Sequence, residues 1–404
     1  MNMKEHLPWL GTFLILIHVH AFAQSDGYSL EAYLSAVQRE SPDLIVEDAN
    51  VAAAQARASG IRISPPMVGL MQMSEGNSRQ DGYEISQELP FPTKIAQDKR
   101  VRNIELENQK ANRAYQKILI LNEARYAYIE FWVATERLKI LRDKNHWLKH
   151  HAAITRSATR SENTAQVHLL EVELERDMVE NEVLAAEASL VEKRNSLKVH
   201  APSLDVANLV PVEPQLPSLD VATLKRGAVE LKELEVISLK AQEDLKQQSY
   251  APDLFLRLRS FKGNDVSPQS QEIMVGVSLP FLYFWQPKAE VAETSAQRIR
   301  GEAELRKTQV EYESKTATVK AKLDSLAAQL KNTKEKLIPR AERRRKLAAN
   351  ISTRTMEGLD QHRSVELGLL DFRAKAIDLH LEYENLFKDL LRLSGGATSS
   401  GSMK

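Results

Sequence analysis

Two parts of the chain alternate between apolar and polar positions, while long stretches elsewhere repeat their apolar positions every three or four residues. Tyr83, Ile85, Gln87 and Leu89 fall on one side of an extended segment, and Glu84, Ser86 and Glu88 on the other. Further on, Ile273, Val275, Val277 and Leu279 oppose Met274, Gly276 and Ser278. A candidate partner strand precedes each: 67–73 after Pro65-Pro66, and 254–261 after Pro252. Polar, turn-rich loops are expected at 74–81 and 262–270, so the pattern predicts two β-hairpins.

The helical stretches carry heptad spacing. Leu305, Gln309, Tyr312, Thr316, Val319, Leu323, Leu326, Leu330, Thr333 and Leu337 step by four and three. Leu369, Phe372, Ala376, Leu379, Tyr383, Leu386, Leu390 and Leu393 form another seam, and Leu370, Ala374, Ile377, Leu381 and Leu391 a second one on the same helix. Two apolar seams require neighbours on two sides, as in a tube of helices. The helix from about 288 to about 355 would be on the order of 100 Å long, with a kink expected at Pro339. Its counterpart in the first half is expected over about 95–158.

That correspondence is one of several. Ser29-Leu30-Glu31 is echoed by Ser218-Leu219-Asp220, and Leu89-Pro90-Phe91 by Leu279-Pro280-Phe281, an internal repeat of roughly 190 residues. The implied organisation is a first repeat at 24–200, a Pro-rich linker at 201–217 holding Pro202, Pro211, Pro214 and Pro217, a second repeat at 218–394, and a small polar tail at 395–404 expected to be disordered. Each repeat reads helix, strand, loop, strand, long helix, turn, helix. The fold class is mainly α with a small β part. Four strands are too few to close a barrel, and left open they would expose their edges, so a shared sheet in an oligomer is expected.

Composition narrows the setting. A lysine near the start, the apolar run 7–17 and Ala21-Phe22-Ala23 before Gln24 have the order of a secretory signal peptide, expected over 1–23. Gln24 offers no cysteine for a lipid anchor. The chain has no cysteine at all, so neither disulfides nor thiolate metal sites can hold it together. Fifty-five basic side chains balance fifty-five acidic ones, which gives no pull toward nucleic acid. Past the leader no run of eighteen apolar residues occurs, so a membrane-spanning form would have to be a barrel. The connectors after the second strands are aromatic: Phe91 in one half, and Phe281, Tyr283, Phe284 and Trp285 in the other. An interfacial belt and a plain corner core both account for them.

Ile85-Ser86-Gln87-Glu88-Leu89-Pro90-Phe91-Pro92-Thr93-Lys94 resembles the strand-to-helix junction of TolC-type outer-membrane efflux proteins. Val275-Gly276-Val277-Ser278-Leu279-Pro280-Phe281 resembles the same junction in their second repeat. Leu337-Ile338-Pro339-Arg340-Ala341-Glu342, with Gly358 after it, is similar to the approach to their second helical tip. The resemblance covers essentially the whole chain after the leader, and the first junction is most similar to the heavy-metal branch. It implies a homotrimer with a twelve-strand β-barrel in the outer membrane and long coiled-coil helical hairpins forming an α-barrel across the periplasm. It also implies an exit duct for small molecules or metal ions, or for a type I secretion system, with a periplasmic adaptor protein and an inner-membrane pump of RND or ABC type as partners. The competing reading is a soluble periplasmic coiled-coil adaptor or scaffold, whose hairpin would not be duplicated with paired strands.

No catalytic constellation accompanies this pattern: H-E-x-x-H, P-loop, G-x-S-x-G and G-x-G-x-x-G are all absent, and no cofactor or metal is expected. His146 and His150 stand at i, i+4 beside His151, but without a third ligand they read as solvated. The first tip is expected at 161–166 and the second at 358–364. Asp360, Glu366 and Asp371 near the second tip would each be repeated threefold in a trimer and form carboxylate rings favouring cations. By resemblance to the family's constricted entrance, Glu366 is the leading gate candidate; helix capping is the plainer role for such acids. His168 and His362, near the tips, read as exposed by default, with pH-sensitive opening as the sharper role. Arg340, Arg343, Arg344, Arg345 and Lys346 form a basic run that is either a solvated helix face or an adaptor-docking surface.

Overall fold

A computed structural model describes residues 27–75, 78–158, 163–217, 226–263, 269–283, 285–348 and 356–395. The expected leader, Ser218-Leu219-Asp220, Ser161 and Glu162 of the first tip, and the tail beyond Gly395 lie outside the described residues, while 163–166, expected in that tip, already belong to a helix. Helix α1 (Leu30–Glu40) starts where the Ser29 hydroxyl accepts the Ala32 N–H, and Ser41-Pro42 ends it and opens α2 (Pro42–Ala58). Strands β1 (Met67–Glu75) and β2 (Ser78–Leu89) lead into α3 (Pro92–Ala158), which is 67 residues long. Helix α4 (Asn163–His200) runs back along it. The second half places α5 (Gly227–Gln247), β3 (Leu254–Phe261), β4 (Ser270–Val277), α6 (Trp285–Asn332), α7 (Ile338–Ala348) and α8 (Met356–Ser394) in the same order.

The four strands form one antiparallel sheet in the order β1-β2-β3-β4. The two hairpins are joined by β2 against β3, with Ile85 opposite Leu258 and Leu89 opposite Leu254. The strands of the first hairpin run further than expected: pairing continues to Glu75 opposite Ser78, so most of 74–81 is strand and not loop. Polar side chains here bridge the strands, as where Gln72 donates to Asp81 at 2.7 Å. The polar residues at this end belong to paired strands, which sequence alone does not separate from a loop.

Helix α6 passes through a π turn at Thr333–Leu337 before continuing as α7. Pro339 has no N–H to donate and its ring crowds the preceding turn, so the widened turn sits where a kink was expected. The heptad seams are the core of the tube. Leu323, Leu326 and Leu330 pack on Leu379, Tyr383, Phe387 and Leu390, and Leu148, Val172 and Val179 join α3 to α4. The linker runs as a strap across the helices. Tyr28 bridges Pro211, the Tyr128 hydroxyl donates to Tyr28 O at 2.6 Å and accepts the Val212 N–H at 3.0 Å, and Tyr383 donates to Pro217 O at 3.0 Å.

Candidate functional site

Cross-strand register divides the sheet into two unlike faces. Val68, Leu70, Tyr83, Ile85, Leu256, Leu258, Ile273 and Val275 share one face, and all are exposed, Leu70 by 93 % and Ile273 by 74 %. On the other face Glu84 lies between Arg257 (3.2 Å) and Arg259 (2.8 Å), and Arg259 reaches Glu272 at 4.0 Å. Apolar-out and polar-in alternation is what a membrane barrel requires. The outer edges of β1 and β4 have no strand beside them among the described residues. No described helix is long and apolar enough to cross a membrane.

The corner below the sheet is tied together by Asp253. Its carboxylate accepts the Phe91 N–H at 3.2 Å and the Lys94 ammonium at 2.6 Å, while its N–H donates to Ser278 Oγ at 2.8 Å. Asp253 thus locks the start of α3 to the second hairpin. Sequence reasoning did not single it out, although its place between Pro252 and β3 could have drawn notice. Phe91 is half-buried in this corner, Trp285 is exposed, and Phe281 and Tyr283 belong to the short 3-10 turn Pro280–Tyr283.

At the far end, α8 begins at Met356, so Gly358–Ser364 is helical and not a turn; residues 349–355 lie outside the described residues. Leu359, Val365, Leu369 and Leu370 are buried at helical spacing, which holds this stretch in the helix. Asp360 is exposed, with Oδ1 3.5 Å from His168 Nδ1 on α4. Arg363 pairs with Glu175 at 2.8 Å, and Lys144 approaches the same carboxylate at 3.7 Å. Glu366 is half-buried and Asp371 exposed. By helical geometry Asp360 and Asp371 share a face, while Glu366 points about 120° away, so the three acids do not form one cluster.

His168 is buried, contrary to the exposed default, because α3, α4 and α8 converge there. His151 is buried too, only 2 % exposed, and stacks on Trp147 at 4.7 Å with His168 at 6.1 Å. Burial, aided by His168, Arg363 and His362 and opposed by Asp360, pushes the His151 imidazole down to about 4. His146 and His150 are exposed, and the described residues hold no group of three His, Asp or Glu placed to bind a metal. Arg340, Arg343, Arg344, Arg345 and Lys346 project from α7, whose Ala341 and Ala348 are the buried positions.

Midway along the helices a buried ion pair joins the halves. Glu384 of α8, 1 % exposed, accepts Arg125 of α3 twice, at 3.0 and 2.7 Å, and Arg125 also donates to Gln215 O of the strap at 3.3 Å. Burial pushes the Glu384 carboxyl up, but His380 and Arg125 more than offset this and hold it below the usual range. The one trace in the sequence is a gap: Glu384 fills a turn of the second α8 seam between Leu381 and Leu391.

No protein-family model and no curated protein matches the sequence. Solved structures do. The outer-membrane channel OprN is 15 % identical, with 91 % of this chain and 90 % of that one covered at a TM-score of 0.72. The outer membrane protein VceC of Vibrio cholerae is 16 % identical over 92 % and 97 %, at 0.69. The MtrE outer membrane channel of Neisseria gonorrhoeae, in its open state, is 15 % identical over 92 % and 89 %, at 0.66. With its antiparallel four-strand sheet and paired long helices, the chain has the fold of these outer-membrane channels.

Proposed function

We propose that this chain is one subunit of a trimeric outer-membrane exit duct, a passive channel and not an enzyme, that receives small molecules or metal ions from a periplasmic adaptor and an inner-membrane pump. The observation that carries this reading is the two-faced sheet with open edges. Its exposed Val, Leu and Ile face needs lipid, its Glu84–Arg257–Arg259 face suits a wet lumen, and its edges call for further copies. The two repeats, 24–200 and 218–394, then supply the helices of a periplasmic tube strapped by 201–217. Aromatics at 91, 281, 283 and 285 stand where barrel meets water.

The tip is the gate in this reading. His168–Asp360 and Glu175–Arg363 clasp α4 to α8, and opening separates them. Asp371, exposed on the face it shares with Asp360, lines the entrance and biases it toward cations, while Glu366 on another side of the helix is the second gate candidate. The basic run at Arg340, Arg343 and Arg344 meets the adaptor. The test is planar-bilayer conductance of the detergent-extracted protein, with its mass measured in parallel. A trimer with small, cation-biased conductance that rises when Asp360 and Arg363 are both replaced by Ala supports duct and gate together. A water-soluble monomer without conductance overturns the channel.

A further inference from the structure

The charged face of the sheet carries a second pattern. From Met67 to Met73, every β1 side chain on that face belongs to methionine or is absent at glycine: Met67, Gly69, Met71, Met73. Strand β4, the opposite edge, places Met274 on the same face, in the row Met67, Ser86, Arg257, Met274. Four of the six methionines in the described residues therefore gather on one face of two edge strands. Methionine usually fills gaps in cores. Here Met67, Met73 and Met274 are exposed and Met71 is half-buried, so no core explains them. Nor does barrel patterning, which asks for polar residues on the inner face.

Closing the sheet with further copies brings β1 of one subunit beside β4 of the next. Residues sharing a face advance in steps of two, so Met274 meets Met67, Gly69, Met71 or Met73. Even opposite Gly69 it lies diagonal to Met67 and Met71, within reach of long side chains. A pair of thioethers across the seam follows from any register that keeps the faces aligned along this stretch. Arg257, the cross-strand neighbour of Met274, is paired with Glu84 at 3.2 Å, so its charge is offset.

Thioether sulfur is a soft, neutral ligand that favours Cu(I)-like cations and needs no deprotonation. We propose that each β1–β4 seam of the closed barrel is a thioether site for a soft monovalent cation, Cu(I) or Ag(I), on the inner wall of the duct, completed by Met274 of the adjoining copy. This rests on the barrel reading above.

The test uses the full chain in detergent and in planar bilayers. Silver nitrate is titrated in chloride-free buffer, with potassium nitrate as the hard-cation control. Wild type should take up one silver ion per seam and show a silver-dependent fall in potassium current. The M67L/M71L/M73L triple variant and M274L keep apolar bulk but lose sulfur. Each should weaken silver binding at least tenfold and abolish the current block. Variants that still conduct and bind silver as wild type does overturn the thioether site and leave the duct standing. A wild-type chain that forms no conducting assembly overturns the duct, and the seam with it.

Discussion

The sheet and the helical tube solve opposite problems. In the sheet the large apolar side chains of one face are exposed, and on the other face arginine and glutamate pair: Leu70 and Ile273 are bare while Glu84 holds Arg257 and Arg259. In the tube the apolar seams are inside, and two buried polar groups are paired or neutralised: Glu384 with Arg125, and His151 held uncharged against Trp147. The same hydrophobic effect produces both, because what differs is the medium that each surface meets. In the proposed duct, the exposed leucines on a single sheet face mark the lipid side, as the buried charge pair marks the packed helices.

Four sets of substitutions break this contrast with graded effect. Arg125→Met leaves the Glu384 carboxylate buried without its arginine partner, with only His380 beside it, which should cost about 3–5 kcal/mol. The thermal melt of the extracted protein should drop steeply, and the R125M/E384L double variant should recover most of the loss. Leu70→Arg or Val275→Arg puts a charge on the lipid face at about 2–4 kcal/mol near the membrane midplane. Outer-membrane fractions should then lose the protein, whereas Glu272→Gln on the charged face should leave its level unchanged.

The third probes the neutral histidine at the tip. The folded state holds the His151 imidazole at about 4, below its ordinary value near 6.5. The unfolded chain thus takes up a proton that the packed tip refuses, and stability falls as pH drops below about 6.5, levelling off near 4. The loss approaches roughly 2–3 kcal/mol across that window. Denaturant unfolding followed at stepwise pH should show the slope, and His151→Phe, which keeps a ring against Trp147, should flatten it. Smallest in stability is Arg340, Arg343 and Arg344→Glu on the exposed side of α7, within about 0.5 kcal/mol. Efflux in cells should nonetheless fall; unchanged efflux would remove the docking role and leave only a solvated face.

Much of this contrast was legible in the chain. Alternation at 83–89 and 273–279 determined which side chains share a face, and the seams through Leu323, Leu330, Leu379 and Leu390 determined which helical surfaces must be covered, because both follow from backbone periodicity alone. The duplicated Leu-Pro-Phe junctions located the strand-to-helix corners. Tertiary structure decided what periodicity is blind to. Whether 74–81 is loop or strand depends on a partner strand being present, and Gly358–Ser364 stays helical only because Leu359 and Val365 find a neighbour to bury against. The burial of His151 and His168, the Asp253 corner and the Arg125–Glu384 pair all require residues far apart in sequence to meet. The chain alone specifies its faces; burial and charge pairing depend on which faces are brought together.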